Sequence, residues 1–114
     1  MKIDSTDFGY IIVEGKKYEH DVLVSYRGKV SKVQLQTRHL ISKKEFSDFL
    51  KEAPEIIVIG NGQYGACEVS EEFLNLAKEK GIEVIIKETP EAISYFNEFL
   101  KAGKKVVAYM HVTC

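Results

Sequence analysis

Residues able to bind a ligand follow three predicted strands, at the point where each strand ends. The loop Gly60–Gly62 comes after one apolar run, Thr89 comes after a second, and His111 lies near the end of a third. In an open parallel sheet, ligands bind beyond the carboxyl ends of the strands. We therefore expect these segments to border one cleft, where backbone N–H groups, a hydroxyl and an imidazole could recognise a polar molecule.

The glycine-rich loop has the spacing of a dinucleotide-binding motif, with Gly60, Gly62 and Gly65 in the pattern G-x-G-x-x-G. That motif brings a backbone close to a pyrophosphate and opens directly into a helix. Here the first cap-like residue, Ser70, comes five residues after Gly65, and only two more strands follow. The favoured interpretation is a tight loop in which Gly60 or Gly62 has a positive φ angle. No nucleotide or other cofactor is predicted.

Two further side chains are expected at the same cleft. Asn97 is an amide on a helix face that is otherwise apolar, and a buried amide needs hydrogen-bond partners. Strand alternation points His111 in the same direction as Tyr109. The simplest hypothesis is that Asn97 and His111 hold the loops around a small polar cleft. In a structural version the cleft binds nothing, and in a functional version it holds an anion against the helix start and the loop N–H groups. The candidate ligand-binding residues are Gly60, Asn61, Gly62, Thr89, Asn97 and His111.

The cysteine and histidine residues do not form a recognisable catalytic or metal motif. Cys67 and Cys114 are predicted to be free thiols, because no secretion signal accompanies them. Cys67 lies near a helix start, which favours a lowered pKa, but it has no assured basic partner. His20 and His39 fall in predicted turns and are expected at the surface. No ligand spacing such as C-x-x-C and no nucleophile elbow is present. We therefore predict no metal site, and leave both the catalytic residues and the question of an enzyme open.

The predicted secondary structure that positions these residues consists of strands in the first third of the chain and of alternating helices and strands in the rest. Strands are predicted at residues 10–13, 17–18, 22–26, 33–37, 56–59, 82–86 and 106–112. Helices are predicted to begin at Ser42, Ser70 and Thr89 and to end near Ala53, Gly81 and Gly103, with Pro90 as the first residue of the third helix.

The order of these elements predicts the fold class. The apolar segments 56–59, 82–86 and 106–110 alternate with helices and are expected to be adjacent, parallel central strands. The first third adds antiparallel strands. We therefore predict a single α/β domain over residues 1–114, with three layers, a mixed central sheet, and parallel strand–helix–strand units in the C-terminal half.

Composition excludes several classes of partner. The net charge of −1 and the presence of only two arginines, Arg27 and Arg38, give no basic surface for nucleic acid. The longest apolar runs are far shorter than the roughly 20 residues of a membrane span. The first ten residues include Lys2, Asp4 and Asp7 and no apolar run, so no signal peptide is predicted. The expected location is the cytoplasm.

Several motifs together resemble a known family. They are Asp7-Phe8-Gly9, Ile12-Val13, Gly15, Tyr18, Asp21-Val22, His39, Ile59-Gly60-Asn61-Gly62, Thr89, Ala92, Tyr95-Phe96-Asn97, Gly103-Lys104-Lys105-Val106, and the closing Ala108, His111, Thr113 and Cys114. The chain resembles the small α/β domain family that contains the adipogenesis-associated domain protein of animals and a mitochondrial assembly factor for respiratory NADH dehydrogenase. The resemblance implies a three-layer fold with a mixed sheet, and it supplies no catalytic residues. The chain departs from the family pattern at Asn61, where threonine is usual, and in its lack of tryptophan.

Two hypotheses for function follow. The first is a non-catalytic binding or assembly module that acts through a protein partner or a second copy of the chain. It rests on the missing catalytic motif and on the partner-dependent members of the resembled family. The alternative is a small-molecule-binding or anion-binding protein, or an enzyme, that uses the cleft at the carboxyl ends of the parallel strands.

Overall fold

The computed structural model describes all residues of the chain, 1–114, as ten strands and three helices. The strands are β1 (Ile3–Asp7), β2 (Tyr10–Val13), β3 (Lys16–Tyr18), β4 (Val22–Ser25), β5 (Val30–Lys32), β6 (Leu40–Ile41), β7 (Ile56–Gly60), β8 (Glu68–Val69), β9 (Glu83–Lys87) and β10 (Val106–Met110). The helices are α1 (Lys43–Leu50), α2 (Glu71–Glu79) and α3 (Thr89–Lys101). None of the three helices is long and apolar enough to cross a membrane.

A mixed five-stranded sheet forms the centre of the molecule, with the strand order β5-β4-β10-β7-β9. Strands β10, β7 and β9 are parallel neighbours, whereas β4 and β5 are antiparallel. The predicted fold class and the predicted adjacency of the three parallel strands are thus confirmed. The position of β9 differs from the prediction, because it forms an edge of the sheet and begins at Glu83 rather than Ile82.

The fold has three layers, because each of the two faces of this sheet is covered by one further layer. On one face, α1 and α2 pack aromatic side chains, including Phe46, Phe49 and Phe73, against the sheet. On the other face lie α3 and a small antiparallel sheet of order β1-β2-β3. Parallel strands covered on both faces are apolar throughout their length, which explains why β7 and β10 are continuous apolar runs.

Strand β10 divides its side chains between the two layers. Val107 and Tyr109 join the core beside α1 and α2, whereas Val106, Ala108 and Met110 join the core beside α3. The two sets alternate because successive side chains of a strand point to opposite faces. The same alternation directs the His111 side chain, which follows Met110, to the side on which Tyr109 lies.

The first two helices begin where the sequence predicts. The Ser42 side chain accepts a hydrogen bond from the backbone of α1, and the buried Glu45 carboxylate accepts one from the Ser42 N–H, which is a capping box. Ser70 accepts from the Phe73 N–H at the start of α2. Helix α1 ends at Leu50, three residues before the predicted end, and Ala53 has a φ of 50°.

The predicted strand at residues 33–37 is wrong. The sheet edge is instead the shorter β5, and the chain leaves the sheet after it. The Gln36 N–H donates to the Glu45 carboxylate rather than to a neighbouring strand. Val33 and Leu35 still pack against the core beside α1 and α2. The alternating pattern therefore reflects one buried side of a loop, and not a β-ladder.

Asn97 connects α3 to the small sheet. Its side-chain oxygen accepts from the Ile3 N–H and its side-chain nitrogen donates to the Ile3 carbonyl, both at 2.9 Å. This reciprocal pair satisfies the backbone of β1 where the strand begins. The hypothesis that Asn97 and His111 jointly hold one cleft is wrong, since Asn97 belongs to α3 and bonds β1, whereas the His111 side chain lies on the opposite face of the sheet.

Replacing Asn97 with alanine should destabilise the fold, because the two backbone groups of Ile3 lose their partners. We expect Asn97→Ala to lower the free energy of unfolding by about 1–3 kcal/mol. Urea denaturation monitored by circular dichroism measures this loss. The matched control is Asn75→Ala on the exposed face of α2, which should stay within about 0.5 kcal/mol of the wild type. Equal effects of the two substitutions would contradict the anchoring role.

Candidate functional site

Thr89 links the glycine-rich loop to the last strand. Its hydroxyl accepts from the Gly62 N–H at 2.9 Å and donates to the His111 carbonyl at 2.7 Å. The Thr89 N–H in turn donates to the Gly62 carbonyl. The predicted capping role is wrong: Glu88 occupies the N-cap position without a side-chain bond, Thr89 is the first helical residue, and Pro90 the second.

Gly60 and Gly62 are required by two different constraints. Gly62 has a φ of 116°, which confirms the predicted positive angle. A Cβ atom on Gly62 would also collide with the Cys114 backbone oxygen. Gly60 has no positive φ, but a Cβ there would lie 2.7 Å from the Met110 sulfur and 2.9 Å from the Thr89 hydroxyl. The loop thus makes a close approach to the last strand and to α3.

The N–H groups of this loop are used within the chain. The Gln63 N–H donates to the Thr113 carbonyl and the Ala66 N–H donates to a backbone oxygen of Cys114. The tail 111–114 therefore lies where the functional version of the sequence hypothesis placed an anion. The expectation of free loop N–H groups for a ligand is wrong, because the chain's own backbone satisfies these donors.

Asn61 lies inside the same loop. Its backbone N–H donates to the Lys87 carbonyl, and its carbonyl accepts from the Cys67 N–H. Its side-chain oxygen is buried and has no hydrogen-bond partner, and it lies close to Gly65. The structure therefore brings Gly60, Asn61, Gly62 and Thr89 together with the His111 backbone.

The His111 side chain belongs to a second network, centred on Asp21. One carboxylate oxygen of Asp21 accepts from the Tyr109 hydroxyl and contacts His111 Nδ1 at 2.8 Å. The other oxygen accepts from the Val112 N–H at 2.9 Å. The side chains of Asp21 and His111 are 14% and 7% exposed. Sequence reasoning assigned Asp21 no role in the site, because nothing local to it indicates partners about ninety positions away.

The protonation states of this network follow from burial and hydrogen bonding. Burial alone would raise the pKa of Asp21, but the hydrogen bonds from His111, Tyr109 and the Val112 N–H outweigh it and lower that pKa below its ordinary value. Burial and the neighbouring Asp21 charge raise the pKa of Tyr109 well above its ordinary value. Asp21 is therefore ionised and accepts only, so we assign the Nδ1 proton to His111 and leave Nε2 as the free nitrogen.

His111 lines an open cleft of about 430 Å³, here called the His111 cleft. Its Nε2 atom lies 3.2 Å from the Thr113 hydroxyl. The His39 ring meets the His111 ring edge-on, with centroids 5.4 Å apart. The lining residues are Asp21, Val33, Gln34, Leu35, Gln36, Arg38, His39, His111 and Thr113. The cleft lies at the carboxyl end of β10, on the side of β4 rather than of β7 and β9.

His39 lies in a turn, as predicted, but is half-buried rather than at the open surface. His39 has a φ of 59° and lines the cleft, and the Cys114 sulfur lies 3.7 Å from its Nε2 atom. Both cysteines are free thiols, as predicted. Burial raises the pKa of Cys67 to about 12, so the suggestion of a lowered value is wrong. No three His, Cys, Asp or Glu side chains converge in a geometry suited to a metal ion.

The Thr89 hydroxyl should contribute more to the free energy of unfolding than the Thr89 methyl group does. Thr89→Val leaves the Gly62 N–H and the His111 carbonyl without a partner in a buried position, so we expect a loss of about 1–3 kcal/mol. Thr89→Ser retains the hydroxyl and should lose less. Chemical denaturation of the two variants provides the comparison, and equal losses would show that the hydroxyl contributes nothing.

Because the pKa of Asp21 is lowered in the folded protein, the free energy of unfolding should decrease at acidic pH. Its folded pKa lies below its unfolded pKa, so the ionised group stabilises the fold above the unfolded value of about 3.8. This contribution should disappear as pH falls below that value toward the folded pKa. Denaturation midpoints measured from pH 6 down to pH 2.5 should fall more steeply for the wild type than for Asp21→Asn. Parallel curves would contradict the assignment.

Comparison with known proteins places the chain in a family. A model of the family described as protein of unknown function (DUF498/DUF598) matches residues 3–111. A conserved hypothetical protein from Pyrococcus horikoshii OT3 is 29% identical, with a TM-score of 0.91 over 100% of both chains. The solved structure of MT938 is 30% identical, with a TM-score of 0.83 over 99% of this chain and 98% of that one.

A more distant structure shares the fold alone. The Mth938-like domain of Bordetella pertussis is 15% identical, with a TM-score of 0.71 over 97% of this chain and 85% of that one. The family match extends over nearly the whole chain and therefore includes Asp21, Thr89 and His111. The chain belongs to the DUF498/DUF598 family.

Proposed function

We propose that this chain binds a small anionic molecule in the His111 cleft and exchanges a proton with it through His111. The observation that carries the proposal is the Asp21–His111 pair at the base of the cleft. A buried carboxylate fixes one ring nitrogen at 2.8 Å, and the other nitrogen is directed toward a hydroxyl at an opening large enough for a small ligand.

The charges around the cleft favour an anion. Arg38 lines it, and His39 and His111 each gain a positive charge when protonated. Asp21 contributes the one carboxylate of the lining, and both of its oxygens already accept hydrogen bonds from Tyr109, His111 and Val112. Arg38 therefore gives the cleft one permanent positive charge, and protonation of either histidine adds another, which suits a carboxylate or a phosphate.

The same geometry supports proton transfer. Thr113 Oγ1, His111 Nε2 and the Asp21 carboxylate form a hydroxyl–imidazole–carboxylate chain. In such a chain the carboxylate orients the imidazole, and the imidazole can take a proton from the hydroxyl or from a ligand placed beside it. The separation of 3.2 Å between Oγ1 and Nε2 lies within the range for such transfer.

Arg38 and Arg27 offer a matched test of anion binding. We expect phosphate, pyrophosphate or one of a series of short dicarboxylates to raise the melting temperature of the wild type by a few degrees at saturation. Arg38→Gln should weaken that binding about tenfold or more, as measured by isothermal titration calorimetry. Arg27→Gln removes the same charge from an exposed turn and should leave binding unchanged.

A second titration tests the proton transfer. The His111 ring resonances should shift when the bound anion is added, and calorimetry in two buffers of different ionisation enthalpy should show proton uptake or release. Asp21→Asn should reduce the proton exchange while the protein stays folded. Failure of every anion in the series to stabilise the fold would overturn the proposal.

One observation favours a second candidate, the non-catalytic binding or assembly module. Phe8 and Tyr64 are 52% and 75% exposed, and their rings lie 6.2 Å apart. Exposed aromatic side chains are enriched at protein interfaces. The resemblance to a family with a mitochondrial assembly factor supports the same candidate. Unlike the first candidate, it predicts that Tyr64→Ser weakens binding to a protein partner or to a second copy of the chain. Arg38→Gln should leave that binding unchanged. Both candidates assume a cytoplasmic location, which suits free thiols.

A further inference from the structure

Strand β9 ends the central sheet with an unpaired edge. It pairs with β7 over five residues, Glu83 to Lys87, and no strand pairs with its other side. Ile86 on this strand is 38% exposed. An exposed edge strand with apolar side chains is a template for pairing with another chain, unless something covers it. Strand β9 therefore offers an unpaired edge with an exposed apolar side chain.

The hydrogen bonds already made by β9 show which backbone groups are free. The Glu83 N–H donates to the Glu55 carbonyl, and the Lys87 carbonyl accepts from the Asn61 N–H. Both groups point toward β7. Since backbone groups alternate in direction along a strand, Ile85 points the same way. Val84 and Ile86 consequently present their N–H and C=O groups outward.

These outward groups match those of a second copy rotated by a two-fold axis. An antiparallel pair centred on Ile85 places Val84 opposite Ile86 of the other copy, and each such pair exchanges two N–H···O=C bonds. The residues with free backbone groups are therefore the residues that meet. The pairing needs no bond that β7 already uses.

The charges select the same register. With Ile85 at the centre, Glu83 of each copy lies opposite Lys87 of the other, on the same face of the sheet. Opposite charges directly across an antiparallel pair are stabilising, and like charges are destabilising. A centre at Glu83 or at Lys87 would place identical charges opposite one another. One register thus satisfies both the hydrogen bonds and the charges.

We infer that two copies of this chain associate through β9, in antiparallel register about Ile85, to form a continuous ten-stranded sheet. The opposite edge, β5, is shorter, with three residues. The His111 cleft lies beside β4 and β10, two strands from β9. Association through β9 therefore leaves the cleft open and is independent of the proposed function.

A charge-swap experiment tests this register. Sedimentation velocity should show the wild type as a dimer of twice the 13.0 kDa chain mass. Glu83→Lys and Lys87→Glu should each weaken dimerisation about tenfold or more, because each places like charges opposite one another. An equimolar mixture of the two variants should restore a heterodimer, since both of its charged pairs are then complementary. The double variant should restore the homodimer.

Two controls separate the interface from folding. Glu79→Lys makes the same charge change on an exposed position of α2 and should not alter dimerisation. Ile86→Pro removes an outward N–H that β7 does not use, and it should abolish the dimer while thermal melts show a folded chain. A wild type that is monomeric at every concentration would overturn the inference, as would single variants that dimerise normally or a mixture that fails to recover.

Discussion

The Asp21 carboxylate carries a negative charge into a position largely shielded from water. A charge in such a place is stable only where hydrogen-bond donors replace the hydration that it loses. Asp21 precedes β4, and its three donors lie on or directly after β10. The start of one strand is thereby tied to the end of its antiparallel neighbour. Removing any one donor would leave the charge less well compensated, so the group acts as a unit.

The consequences of this unit extend into the glycine-rich loop. The Val112 N–H is fixed by Asp21, and the Val112 carbonyl accepts from the Gly9 N–H. The chain then runs beside the loop, where Thr113 and Cys114 accept from loop N–H groups. The Thr89 hydroxyl bonds the His111 carbonyl. Four distant segments thus meet around one short tail, and Gly62 is required because that tail comes so close.

The sequence predicted the architecture better than the site, for a physical reason. Fold class, strand adjacency and two helix caps follow from periodicity and local hydrogen bonding, which involve residues only a few positions apart. The Asp21 contacts join residues 88 to 91 positions apart, so no local pattern marks them. Thr89 and Asn97 were identified as important polar residues, but their partners were wrong, because a hydroxyl or an amide does not indicate in advance which distant backbone group it will meet.

The Asp21 network extends from a buried charge to the lining of the His111 cleft. The Tyr109 hydroxyl donates to one carboxylate oxygen and the Val112 N–H to the other, and His111 Nδ1 adds a third hydrogen bond that helps to lower the pKa of Asp21. His111 adds a nitrogen that faces the Thr113 hydroxyl at the edge of an open cleft. His111 thus compensates the buried charge through Nδ1 and places its second ring nitrogen beside a hydroxyl that lines the cleft. That position supports a role for His111 in recognising a ligand in addition to holding the strands.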